Sequence, residues 1–199
     1  MMRFPFNRRG AALALVALAL AAPALAGVFA RVETPDDAIR IWNVHTGRGG
    51  VYVGRIVDRE VRAVDLPEFG EIEVTTLRVA VTDKITRRTT DGDEIRVTFL
   101  GGADYKTSAQ PTDRETAVGV DVALFLMSNP FPDELGDTLW LSGLNAVFPI
   151  KTNASGDRVV LGKWHGMPVS RNTHLAEFLD SHRAAFARAV AAPDSGGGK

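Results

Sequence analysis

Apolar residues change their spacing several times along this chain, and each change marks an element. Between Thr34 and about His45 they recur every three or four positions, with Ala38, Ile39, Ile41 and Trp42 on one stripe. Thr34 is a good N-cap, Pro35 suits the first helical position, and Asp36 and Asp37 complement the positive end of the helix dipole. The stretch therefore predicts a helix that stops at Gly47.

From Val51 the period is two. Val51, Val53 and Val57 lie on one side and Tyr52, Gly54 and Ile56 on the other, which predicts a strand buried on both faces for part of its length. A second strand runs from Glu71 to Thr82. Its apolar side switches from Ile72 and Val74 to Leu77, Val79 and Val81 across Thr75-Thr76, as at a bulge or bend. After the turn residues Asp91-Gly92-Asp93, Ile95, Val97 and Phe99 alternate through a strand from Glu94 to Leu100. Ala103 to Thr116 is polar, contains Pro111 and reads as a long loop.

Val118 to Met127 is apolar apart from Asp121 and predicts a central strand, ended by Asn129-Pro130-Phe131-Pro132. Thr138 to Leu141, Ala146 to Ile150 and Arg158 to Leu161 read as shorter strands, the last two joined by a turn at Asn153 to Asp157. Trp164 to Arg171 is irregular. From Thr173 onward, Leu175, Phe178, Leu179, His182, Phe186 and Val190 share one helical face, and residues 191–199 read as a disordered tail.

Six or seven strands between two helices predict a mainly β fold. The expected form is a small OB-like β-barrel or a strongly bent antiparallel sheet, flanked by an N-terminal and a C-terminal helix, in a single domain over residues 27–190. Phe99, Leu124 and Leu126 belong with Val79 in its core.

Met1 to Ala26 has the three parts of a secretory signal peptide: Arg3, Arg8 and Arg9 in a basic head, an apolar run from Ala11 to Ala22, and the small-residue exit Ala24-Leu25-Ala26. The run is well short of the ~20 residues that span a bilayer. Cleavage after Ala26 is expected, giving a periplasmic or secreted protein with no integral membrane segment. It removes three of the 23 Lys+Arg residues and none of the 24 Asp+Glu, leaving a formal charge of −4. An acidic chain without a basic block is a poor match for nucleic acid. Cysteine is absent, which excludes disulfides, thiolate metal sites and cysteine nucleophiles.

Val51-Tyr52-Val53-Gly54-Arg55-Ile56-Val57, the strand through Val74 to Thr82, the strand from Val97 ending on Gly101-Gly102, and Val120 to Leu126 before a Pro-bearing break together resemble an exported bacterial β-domain family of unknown function. The resemblance covers roughly residues 51–150. It implies a barrel and an exported setting, and it transfers no activity and no catalytic residue.

Candidate chemistry is sparse. Trp164-His165-Gly166-Met167-Pro168 combines an aromatic, an imidazole and backbone breakers in an irregular segment, a composition that lines pockets; the reading favoured for Trp164 itself is a plug at the bottom of a barrel. Tyr105 in the long loop joins Trp164 and His165 as a binding candidate. Two carboxylate pairs, Asp133 with Glu134 and Glu71 with Glu73, are placed as in glycosidases or as ordinary solvated acids. His174, Glu177 and His182 lack the tight spacing of a zinc site, and Leu141-Ser142-Gly143 lacks the glycine of a nucleophile turn. No cofactor or metal is implied. The reading is an exported, non-enzymatic β-barrel module that binds a protein, peptide or envelope component through its loops. The competing reading is an exported hydrolase using His165 or the paired carboxylates.

Overall fold

The computed structural model describes residues 32, 34–67, 69–89, 91–101, 111–141, 146–163 and 168–192. The predicted signal peptide, residues 1–26, and tail residues 193–199 lie outside the described residues. Helix α1 (Pro35–Ile41) is set by its first turn: Thr34 Oγ1 accepts from the Asp37 N–H at 3.2 Å, and the Asp37 carboxylate accepts from the Thr34 N–H at 3.1 Å. That reciprocal pair satisfies two donors that the helix cannot satisfy itself. The helix is shorter than the Thr34–His45 stretch predicted. Asn43 adopts a left-handed backbone, and the chain tightens into a 3-10 turn at Val44–Thr46 closed by Gly47 at φ 79°.

Among the described residues eight strands follow: β1 (Gly49–Leu66), β2 (Gly70–Thr86), β3 (Glu94–Leu100), β4 (Asp121–Ser128), β5 (Leu139–Leu141), β6 (Val147–Thr152), β7 (Arg158–Val160) and β8 (Thr173–His174). They form one sheet in the order β1-β2-β3-β5-β4-β6-β7-β8, with β1 also paired to β4. The fold is mainly β, as expected, but the sheet is mixed rather than antiparallel because β5 lies parallel to β3, with Val97 opposite Leu139. The cause is the crossing between β4 and β5. The Asn129 side chain donates to the carbonyls of Phe131 and Gly136 and to Thr138 Oγ1, and its own oxygen accepts from the Phe131 N–H. This folds the Pro-rich break into a knot of turns around the one-turn helix α2 (Pro132–Leu135), and delivers the chain back antiparallel to β4 and alongside β3.

β1 and β2 run well past the predicted ends. Beyond Ile56 the strand carries Asp58, Arg59, Glu60, Arg62 and Asp65 and is mostly exposed, so an apolar pattern sees only the buried half of it. Pairing with β2 continues from Arg59 opposite Leu77 to Leu66 opposite Gly70. Charges along such an edge discourage pairing with other chains. Of the bulge or bend expected at Thr75-Thr76, no bulge is there: Val61 opposite Thr75 and Glu60 opposite Thr76 keep continuous register. The switch in apolar side arises because Val74, Thr75, Thr76 and Leu77 are all buried, with Thr75 Oγ1 donating to the Gly101 carbonyl at 2.5 Å. The register shifts fall instead at Val53/Gly54 and Ile56/Asp58, where Thr82 and Val57 are the extra residues.

Val79, Phe99, Leu124 and Leu126 lie in one hydrophobic cluster, as the alternation predicted. β4 is buried on both faces, because β1 and β6 flank it and two helices cover one side. On that side Phe125 meets Trp42 at the end of α1, Phe148 of β6, and Phe178 and His182 of helix α3 (Leu175–Ala191). A second cluster of Leu66, Val74 and Leu135, with Phe131 and Trp140 against it, ties the tip of the β1–β2 hairpin to α2. Among the described residues no helix is long and apolar enough to cross a membrane.

His182 is 2 % exposed, and its Nδ1 lies 2.7 Å from the Phe178 carbonyl, to which it donates. Burial pushes its pKa below the ordinary 6.5, against a smaller opposing effect of that hydrogen bond. Between the depressed folded value and 6.5 the unfolded chain binds the extra proton, so stability is complete above pH 6.5 and falls as the pH drops below it. Thermal midpoints measured across this range are expected to decline towards acid in the native protein, and His182→Leu is expected to flatten that part of the profile. An unchanged slope would place the acid sensitivity elsewhere.

Candidate functional site

A cleft of roughly 540 Å³ opens where the start of β4 and the middle of β6 meet the chain segment 111–120. Local hydrogen bonding builds its wall. Thr112 and Glu115 cap each other, with the Glu115 carboxylate accepting from the Thr112 N–H at 2.8 Å and Thr112 Oγ1 accepting from the Glu115 N–H at 3.3 Å. Gly119, at φ 90°, turns the segment back so that its N–H donates to the Ile56 carbonyl at 2.7 Å, while the Ile56 N–H donates to Val120. The wall is thus stitched to β1 just beyond the point where β4 ceases to pair with it.

The floor is apolar, formed by Val120, Pro149, Ile150 and Leu161. The polar rim carries Arg114, Glu115, Asp121 and Lys151. Both carboxylates are engaged. Arg55 Nε donates to Asp121 at 2.7 Å and its terminal nitrogen at 3.2 Å, and Arg158 adds a contact at 3.4 Å. Hydrogen bonds from Arg55 hold the Asp121 carboxyl below the usual carboxylate range despite partial burial. Glu115 is joined to Lys163 Nζ at 2.7 Å, and that ammonium lies 5.4 Å from the centre of the Phe148 ring.

The two members of the Glu115–Lys163 pair respond differently to burial. Burial pushes the Glu115 carboxyl up, but hydrogen bonds from Lys163 and Thr112 outweigh it and leave the group below its ordinary value. Lys163 is pushed down by burial more than Glu115 pulls it up. A pair in which one partner loses what the other gains works mainly as a positional lock and stabilises the fold little. The three donors on Glu115 decide that its carboxylate is ionised. Arg114 and Lys151 are exposed, and among the described residues neither has an ion-pair partner.

Trp164, His165 and Tyr105 lie outside the described residues. The segments that contain them have described ends, and these meet: Glu115 closes the Ala103–Thr116 stretch, and Lys163 immediately precedes Trp164. Ser142 and Gly143 also lie outside the described residues. The paired carboxylates stand elsewhere. Asp133 and Glu134 sit in the first turn of α2, while Glu71 and Glu73 lie opposite Asp65 and Ala63 on the β1–β2 hairpin. His174 and Glu177 are exposed whereas His182 is buried in the aromatic cluster, so the three do not converge.

Sequence reasoning did not assemble Arg55, Arg114, Asp121, Lys151 and Arg158. One signal was present: Asp121 is the single charged residue in an apolar strand, and a carboxylate there needs a partner. The partners come from β1 and β7, 66 and 37 residues away, which only the folded sheet brings together. Comparison with protein-family models, with curated proteins and with solved structures finds no match to this chain.

Proposed function

We propose that this chain is an exported, non-enzymatic binding module that takes a protein, peptide or envelope component at the cleft over Val120 and Ile150. The observation that carries the reading is the state of the rim. Asp121 and Glu115 are each tied to cations, which removes them as free general bases or nucleophiles, while Arg114 and Lys151 carry no ion pair among the described residues. Such a rim suits recognition better than proton transfer.

An OB-like barrel is the scaffold we infer. Its support is the closed order of pairing: β1 to β2, β2 to β3, β3 to β5, β5 to β4, and β4 back to β1, five strands with one parallel pair. Export rests on the basic head, apolar run and Ala24-Leu25-Ala26 exit. The resemblance of residues 51–150 to an exported β-domain family agrees with both.

Protein recovered outside the cytoplasmic membrane is expected to begin at Gly27, and the immobilised protein is expected to retain a ligand from an envelope extract. The double variant Arg114→Glu, Lys151→Glu is expected to lose most of that retention at an unchanged thermal midpoint, because both side chains are exposed and carry no ion pair among the described residues. Equal retention by native and variant protein would remove the cleft from the binding surface.

A further inference from the structure

The charge around the cleft runs against the charge of the chain. The protein is acidic after removal of its predicted leader, yet Arg114 and Lys151 line this cleft, and three further cations, Arg55, Arg158 and Lys163, neutralise the two carboxylates of its lining. Those two carboxylates, Glu115 and Asp121, are the acids among the described lining residues, and Asp121 faces two guanidinium groups by itself. A positive surplus in a concave site raises the local concentration of anions. Arg114 and Lys151 hold that surplus at the rim.

Size and lining define the rest of the ligand. Roughly 540 Å³ is far more than an inorganic phosphate or sulfate fills, and lies within the range of sites for small organic molecules. The floor of Val120, Pro149, Ile150 and Leu161 offers an apolar surface beside the charged rim. Pro149 donates no hydrogen bond, and its carbonyl already accepts from the Leu161 N–H at 2.9 Å, so this part of the floor has no free backbone donor to satisfy. A neutral polar ligand would gain little there.

We propose that the cleft binds a soluble amphiphilic anion, a carboxylate or phosphate monoester on an apolar stem, with its charged group on Arg114 and Lys151 and its stem on Val120, Ile150 and Leu161. This rests on the binding-module reading above and names the ligand chemistry of the same site. A free amphiphile is favoured over the same headgroup in a bilayer because a chain of formal charge −4 is repelled by an anionic membrane surface.

The test is titration of the isotopically labelled exported protein, followed by backbone amide NMR. The probes are octanoate, octanol and inorganic phosphate, with sedimentation on phosphatidylglycerol vesicles in parallel. Octanoate is expected to shift the amides of Gly119, Val120, Asp121 and Lys151 saturably, with octanol and phosphate at least about tenfold weaker, since each lacks either the charge or the stem. Arg114→Glu, Lys151→Glu should weaken octanoate about tenfold or more, whereas the equally charged control Arg62→Glu, Arg96→Glu should not. Equal binding of octanol, equal binding by the cleft variant, or vesicle binding without an octanoate response would each overturn the proposal. Retention of an envelope ligand that depends on Arg114 and Lys151, without an octanoate response, would refute this ligand class and leave the binding-module reading standing.

Discussion

Gly49→Ala is expected to destabilise the protein by at least about 3 kcal/mol, the upper part of the range for overpacking a tight site. Gly49 opens β1 opposite Met127, where the strand passes between the carbonyl of Trp42 and the carbonyl of Leu126. A methyl group there would fall inside contact distance of both oxygens, the Leu126 oxygen lying 2.5 Å from it. Both obstacles are backbone, one at the C-cap of α1 and one in the central strand, so no rotamer change relieves them. The neighbouring chain is held as well, since Ser128 donates to the Arg48 carbonyl from its hydroxyl at 2.8 Å. Gly70 supplies the control. It has φ 69° but open space around it, so Gly70→Ala pays only the left-handed backbone cost of about 1–2 kcal/mol. Urea unfolding followed by circular dichroism compares the two, and a Gly49→Ala loss no larger than that of Gly70→Ala would contradict the close approach.

Phe125→Ala is expected to cost about 3–5 kcal/mol, the usual range for truncating a buried aromatic. The Phe125 ring is fully buried and touches four others: Trp42 at 5.1 Å, Phe148 at 5.8 Å, Phe178 at 6.1 Å and His182 at 5.5 Å between centroids. These neighbours come from α1, β6 and α3, so the cavity would sit where both helices dock on the sheet. None can close it alone, because each is itself held by other contacts of the core. Phe69→Ala is the comparison. Phe69 is 47 % exposed and, among the described residues, meets one other ring, Phe131, edge to face, so its truncation should cost about 1 kcal/mol. Equal shifts in the denaturation midpoints of the two variants would mean that the aromatic cluster does not carry the docking of the helices.

Local signals were legible wherever the cause is local. The capping box at Thr34 and Asp37 is written in neighbouring residues, as are the turn at Asn153–Asp157 and the alternation of Glu94–Leu100. The apolar face of α3 was legible over its first turns, since Leu175, Phe178, Leu179 and His182 are all buried, while Val190 at its end is exposed. Where the pattern misled, burial had a second source. Thr75 and Thr76 look like a break in an apolar face, yet both are buried, with Thr75 Oγ1 donating to the Gly101 carbonyl and Thr76 Oγ1 lying 3.5 Å from Thr98 Oγ1 on β3.

The sequence alone therefore determined the mainly β class, the position of most elements and the membership of the core, because helix caps, turns and apolar periodicity act over a few residues. The tertiary structure decided what depends on distant partners. The parallel β3–β5 pair, the long charged half of the β1–β2 hairpin and the placement of the bulges at Val57 and Thr82 follow from which strands lie side by side. The same holds for the cleft. Asp121 became part of a cationic site only when β1 brought Arg55 and β7 brought Arg158 to it, and Coulomb attraction between charged groups depends on their separation in space, which spacing along the chain does not reveal.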